Sequence, residues 1–262
     1  MNFDFSSLTD PGLVRDNNED SVAFDAKVGL AVLADGMGGY NAGEIASAMA
    51  VTFVRTELSQ WLRDSDGRTT SQNVQRALEL CVVHANQAIY NSALSNAQFT
   101  GMGTTLVVGV FEPERVTLGH VGDSRCYLWR NRQLTQLTRD HSLLQEQLEA
   151  GLITQEQAKV ATHKNLVTRA LGVDEHVAVD VQEHMPLPGD IYVMCSDGLT
   201  DMIDDEHIAR ILADDAGLAS KSRSLVQAAN SAGGRDNISV VLVQAKAKSG
   251  AQGFFSRIMR AS

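Results

Sequence analysis

Four aspartates in this chain stand at the ends of apolar, strand-like runs, each inside a short polar turn: Asp35 in ADGMGG, Asp123 in GDSR, Asp197 in SDGLTD and Asp236 in GGRDNIS. A fifth segment, RDNNEDS, brings Glu19 and Asp20 to the start of another run. An Asp-Gly pair is by itself a good hairpin signal. That reading weakens at Asp35 and Asp197, because helical periodicity rather than a partner strand follows each turn. Carboxylates gathered in one place repel one another unless positive charge sits among them. Hard divalent cations are the natural remedy, since Mg2+ and Mn2+ take a few carboxylates and keep several waters. A glycine after the acid, as at Gly36, lets a backbone carbonyl approach an ion closely. One basic residue, Arg15, opens the fifth segment, just before Glu19 and Asp20. A guanidinium matches phosphate oxygens with two parallel N–H donors. Acids that collect cations, with one arginine for an oxyanion, make the composition of a two-metal phosphoester hydrolase.

Strands must hold these turns. They are predicted over residues 21–25, 29–35, 104–111, 115–122, 125–130, 190–196 and 238–245, several of them apolar almost throughout, as expected of strands covered on both faces. Helical periodicity fills the intervals. Ile45, Met49 and Phe53, continued by Val54, Leu58 and Trp61, form one stripe, and Val74, Leu78, Cys81, Ala85, Ala88 and Ser92 form a second. Thr154 and Gln157 have capping-box spacing. Asp204 or Asp205 caps a helix through Ile208, Ile211 and Leu212, and a last helix from Leu218 closes at Gly233 and Gly234. The order does not alternate strictly between strand and helix, which disfavours a doubly wound parallel sheet. Helices outside stacked antiparallel sheets, an α+β arrangement, suit it better.

The bulk composition narrows the partners. A formal charge of −10 argues against nucleic acid and anionic membrane surfaces, because there is no basic surplus to release counterions. Cys81, Cys126 and Cys195 are isolated, with no Cys-x-x-Cys pair, which points to structural thiols in a reducing compartment. The start MNFDFSSLTD lacks the basic-then-apolar run of a signal peptide, and no apolar stretch approaches the ~20 residues that cross a bilayer. The expectation is a cytoplasmic protein with one domain over residues 1–245 and a flexible tail over 246–262, where the composition changes.

Taken together, RDNNED, ADGMGG, GMGTTLV, GDSR, LTRDHS, LVTRALG, CSDGLTD and GGRDNISVVLV resemble, in order, the motifs of the bacterial metal-dependent Ser/Thr protein phosphatases, the PPM family. The resemblance runs from about residue 3 to 245. It implies a four-layer α/β/β/α sandwich of two mainly antiparallel sheets flanked by helices, with a flap inserted at about 139–172. It further implies that Asp35 bridges two Mn2+ or Mg2+ ions, with the Gly36 carbonyl as a further ligand. Asp20, Asp197 and Asp236 would complete that site directly or through water, Glu19 would support it, and Asp123 with Asp197 would hold a possible third ion. Arg15 would clamp the phosphate, while Asn237 and Thr105 would support the site and His163, in the flap, would touch substrate. On this reading a metal-bridging hydroxide attacks phosphoserine or phosphothreonine in line, reversing the action of a Ser/Thr kinase.

One position departs from many eukaryotic relatives, which carry a histidine two residues after the bridging Asp. Here it is Met37, whose thioether cannot donate a proton. The expected partners are phosphorylated proteins, a Ser/Thr kinase among them, acted on by a monomer. Two alternatives remain: a metal-dependent hydrolase of small phosphoesters, and a non-catalytic phosphatase-like regulator. The regulator would have lost a ligand or the arginine, yet Arg15, Asp20, Asp35, Asp197 and Asp236 are all present.

Overall fold

A computed structural model describes residues 1–39, 42–65, 67–154, 157–158 and 166–248. Its strands are β1 (Asn2–Asp10), β2 (Asp20–Asp25), β3 (Leu30–Met37), β4 (Gly103–Thr104), β5 (Leu106–Glu112), β6 (Arg115–Val121), β7 (Arg125–Arg130), β8 (Gln133–Gln136), β9 (Asp180–His184), β10 (Ile191–Cys195) and β11 (Ile238–Lys246). Its helices are α1 (Ala42–Asp64), α2 (Ser71–Ser95), α3 (Leu143–Glu149), α4 (Asp197–Thr200), α5 (Asp205–Leu212) and α6 (Leu218–Ser231). One sheet has the order β2-β3-β5-β6-β9, with β4 against the end of β3. The other has the order β1-β11-β10-β7-β8. Every strand pairing among the described residues is antiparallel.

Alternation along the central strands builds three apolar layers. On β3, Leu30, Val32 and Ala34 pack under α1 and α2 with Ala46, Val54, Leu78 and Ile89. Ala31 and Leu33, on the opposite face, meet Val107, Leu118, Tyr192, Met194 and Val241 between the sheets. Val193, Cys195, Val240 and Leu242 pack under α5 and α6 with Ile208 and Leu225. The result is the expected α/β/β/α sandwich.

Three strands escape the sequence pattern: β1, β8 and β9. All are sheet edges, paired on one side only, and QLTQ and DVQEH need no apolar run because one flank faces solvent. The predicted strand over 104–111 breaks at Thr105, whose backbone and hydroxyl serve Asp35 instead of the ladder. On α1 the fully buried face is Ala46, Ala50, Val54 and Leu58. Ile45, Met49 and Phe53 are half-buried along a groove shared with Ala85 and Ala88 of α2. The predicted caps are present: Asp204 accepts from His207 N at 2.8 Å, and Thr154 and Gln157 exchange backbone-to-side-chain bonds. No described helix is long and apolar enough to cross a membrane.

Candidate metal centre

The alternation that makes the inter-sheet core also aims the acids. Asp35 lies two residues beyond Leu33 and Asp20 two residues before Val22, so both continue the face that looks into the gap between the sheets. They stand opposite each other in the β2–β3 register. Ser196 follows Met194 and Ser239 precedes Val241 by the same step, on the facing sheet. One end of the gap is therefore polar.

Hydrogen bonds fix each piece. The amide of Asp35 donates to Thr105 Oγ1 at 3.0 Å, and its carbonyl accepts from the Thr105 amide at 2.9 Å and Thr104 Oγ1 at 2.8 Å. Thr105 Oγ1 also meets Ser124 Oγ at 2.7 Å, which ties Asp35 to the turn carrying Asp123. Asn237 staples two loops. Its Nδ2 donates to the carbonyls of Pro11 and Asn17, and its Oδ1 accepts from the Glu19 amide at 2.7 Å. Gly36 is required by space: a Cβ there would lie 2.1 Å from the Gly43 carbonyl oxygen and 2.6 Å from that of Glu19. Arg15 Nη2 donates to Asp236 Oδ2 at 2.6 Å, and Asp236 Oδ1 accepts from the Asn237 amide. Glu19 receives a side-chain bond from Asn17 and lies against Gly43 at the start of α1.

The carboxyls are poorly neutralised. Burial pushes Asp20 up to about 7, against the pull of donors from Ser239 and Ser196. Ser196 Oγ donates to Asp20 Oδ2 at 2.8 Å, whereas Oδ1 is buried and meets no hydrogen-bond partner among the described residues. Asp35 is raised well above the usual carboxylate range, by burial first and then by the charges of Asp20, Asp197, Asp123 and Asp236. Asp197 is raised by burial, then by Asp123, Asp201, Asp236 and Asp20. Burial and the nearby Asp140 bring Asp123 to about 6. Asp35 and Asp197 keep part of their surface open to solvent.

An orphaned buried oxygen, mutually repelling acids and an all-oxygen donor set fit hard divalent cations. A second cluster, His120, His141 and Asp180, lacks that character. His141 Nδ1 accepts from the Gly122 amide at 3.0 Å, so Nε2 carries the proton and points to Asp180, and the Arg169 guanidinium already lies at both. His141 is thus a latch between the segment that follows β8 and the Asp123 turn, bonded a second time through its own amide to the Gly122 carbonyl.

Residues 14–239 match the family model for protein phosphatase 2C. The chain belongs to that family. Among phosphatase 2C relatives, it is 39% identical over 239 residues to a serine/threonine phosphatase, stp, of Listeria monocytogenes, covering 90% of this chain and 93% of that one. The serine/threonine phosphatase PstP/Ppp of Mycobacterium tuberculosis superposes with a TM-score of 0.86 at 36% identity, over 94% of this chain and 100% of that one. The catalytic domain of PstP in complex with two manganese ions superposes at 0.82, with 36% identity and coverage of 94% and 99%.

Against this phosphatase 2C fold, the structure brings Asp20, Asp35, Asp123, Asp197 and Asp236 into one electrostatic cluster, with Arg15, Glu19, Gly36, Thr105 and Asn237 around it. His163 lies outside the described residues. Sequence reasoning passed over Ser196 and Ser239, which orient Asp20, and Asp201, which adds charge beside Asp197 and Asp123. Strand parity holds the signal for the serines: each occupies an inward position where the apolar alternation stops.

Proposed function

We propose that this chain hydrolyses phosphoserine and phosphothreonine in proteins at a divalent-metal centre held by Asp20, Asp35, Asp123, Asp197 and Asp236 with the Gly36 carbonyl. It is a metal-dependent Ser/Thr protein phosphatase. The observation that carries the site assignment is the convergence of these carboxyls, four of them pushed upward by burial and by neighbouring acids, beside a half-exposed arginine. Mn2+ or Mg2+ would sit among them, two ions in the core and a third between Asp123 and Asp197. Such cations, when bound, acidify a water and neutralise charge on phosphate oxygens.

The protein's own groups do the positioning. Arg15 uses Nη2 on Asp236, and its half-exposed guanidinium keeps further N–H donors that would serve the phosphate. Thr104 and Thr105 lock the backbone of Asp35, and Asn237 locks that of Glu19, so the acids need no reorganisation when substrate enters. The thiols take no part. Burial pushes Cys81 and Cys195 up to about 12 and Cys126 still higher, so none is a nucleophile at neutral pH. Met37 donates no proton, and the leaving seryl or threonyl oxygen takes one from elsewhere, a water included. The same reading assigns residues 1–245 to one phosphatase domain acting as a cytoplasmic monomer, with the flap over 139–172 governing access and a Ser/Thr kinase as opponent or substrate.

The test is phosphate release from a phosphothreonine peptide with Mn2+, in chelator, and by the Asp35→Asn variant. Release is expected only with metal, and the variant should lose about three orders of magnitude in kcat/KM. Undiminished turnover in chelator would end the reading.

A further inference from the structure

The loop that delivers Arg15 exposes two large aliphatic side chains just before it: Leu13 is 68% and Val14 66% accessible. A single exposed aliphatic residue needs no explanation. Two in succession on a pinned loop do. The amide of Leu13 donates to the Gly234 carbonyl at 2.7 Å, that of Gly12 to Asp10 Oδ1 at 2.9 Å, and Asn230 Nδ2 to the same Asp10 oxygen at 3.0 Å. Gly12, at φ +79°, presses so closely on the neighbouring loop that a Cβ would lie 2.3 Å from the Asp236 carbonyl oxygen. The segment carrying Leu13, Val14 and Arg15 is therefore seated directly on the segment carrying Asp236.

Leu13 also walls a cleft of about 420 Å3 that runs along α6, with Asp10, Arg223, Gln227 and Asn230. The charge there is unevenly used. Asp10 is occupied by Gly12 and Asn230, whereas Arg223 is exposed, donates to Ser220 Oγ and makes no ion pair among the described residues. In a chain of net charge −10, Arg223 stands beside Leu13 in this cleft, and Val14 and Arg15 follow Leu13 directly along the chain.

We propose that this rim is the docking surface for the polypeptide flanking the phosphoresidue: an aliphatic residue of the substrate rests on Leu13 and Val14, and an acidic residue beyond it pairs with Arg223. The inference rests on the phosphatase reading and deepens it. Continuity with Arg15 sets the occupant, since a chain whose phosphate lies at that guanidinium passes over an adjoining surface, and the exposed Arg223, which has no carboxylate partner among the described residues, complements an acidic flank. A small phosphoester has no flanking chain to rest on Leu13.

The experiment compares full-length wild type, the Leu13→Ser/Val14→Ser double variant and Arg223→Glu, each with Mn2+. The substrates are a phosphothreonine peptide with leucine and glutamate flanks, its glycine and lysine counterpart, and p-nitrophenyl phosphate. Wild type should prefer the first peptide over the second by about tenfold in kcat/KM, roughly the worth of one buried aliphatic side chain with a rim ion pair. The double variant should lower the ratio of first-peptide to p-nitrophenyl phosphate turnover by a similar factor, and Arg223→Glu should favour the lysine peptide. Equal ratios in wild type and both variants would overturn the surface and leave the phosphatase reading standing. A wild type that turns over p-nitrophenyl phosphate and neither peptide would take both down. If the double variant changes only the mass seen by light scattering, the patch joins copies of the chain, and the proposal is wrong.

Discussion

At one end of the gap between the sheets, Phe111 meets Phe3 at 5.5 Å, Phe5 at 5.8 Å and Tyr192 at 5.4 Å between ring centroids, and Phe5 stacks on Phe24. At the other end, the same strands and the same alternation place Asp20, Asp35, Thr105, Ser196 and Ser239. β5 joins the two ends, with Phe111 near one terminus and Thr105 just before the other, and β2 does the same with Asp20 and Phe24. Aromatic rings bury large areas and gain a further increment from edge contacts. The acid end gains little from burial. Its groups are held largely away from water, against the repulsion of neighbouring acids, by hydrogen bonds from a frame anchored elsewhere. The contrast teaches that the sandwich separates where stability is made from where it is consumed.

Paired substitutions test that division. Asp35→Asn, already expected to lose about three orders of magnitude in kcat/KM, should raise the thermal midpoint of the metal-free protein at neutral pH, because it removes a buried acid whose charge Asp20, Asp197, Asp123 and Asp236 oppose. Phe111→Ala should cost about 3–5 kcal/mol in urea unfolding, the usual price of truncating a buried ring, while the folded fraction binds Mn2+ normally. If both variants destabilise the metal-free protein alike, stability is not made at one end of the gap and consumed at the other.

Much of this organisation is legible in the sequence, and the physics says which part. Central strands such as β3 and β11 are covered on both faces and must read as apolar runs, so the residues that interrupt them stand out. Asp35 and Asp236 announce themselves for that reason. Edge strands carry no such demand, and β1 adds to this by splitting its faces, with Phe3 and Phe5 between the sheets and Leu8 toward α6. On α1, small residues pack closest to the sheet, so Ala46 and Ala50 take the buried face that the bulkier Ile45 and Met49 suggested for themselves. Least legible are pairings between distant turns. Nothing in LVRDNNED announces that Arg15 meets Asp236, 221 residues away.

Acidity sharpens the comparison. Asp20 and Asp123 are raised to about 7 and about 6, so the folded metal-free chain keeps protons that the unfolded chain has released. The stability linked to those protons is complete below the ordinary carboxylate range near pH 4 and is lost as pH rises through 6 and 7. Metal-free protein should therefore weaken between pH 5 and pH 8 by on the order of a few kcal/mol, with the aromatic end unaffected. Mn2+ should restore most of the loss at pH 8 and little at pH 5, where protons already occupy the acids. Chemical denaturation at both pH values, with and without Mn2+, checks the sign. A metal-free protein that gains stability over that range would mean the acids are compensated by groups other than cations.

Arg15→Ala carries the smallest expected effect and separates two roles within the acid end itself. The guanidinium is half exposed and lies on Asp236, so it serves as a phosphate fork, as a structural counter-ion, or as both. A fork predicts a KM for phosphopeptide raised about tenfold, with kcat reduced less, since one charge-assisted bond is lost at the phosphate. A counter-ion predicts a different result. Removing it leaves Asp236 with only the Asn237 amide, and its carboxylate becomes more available to a cation, so Mn2+ affinity should hold or tighten. Calorimetric titration of Mn2+ beside steady-state kinetics reads both. If Mn2+ binding collapses while KM stays put, the arginine organises the metal loop and the phosphate is held by something else.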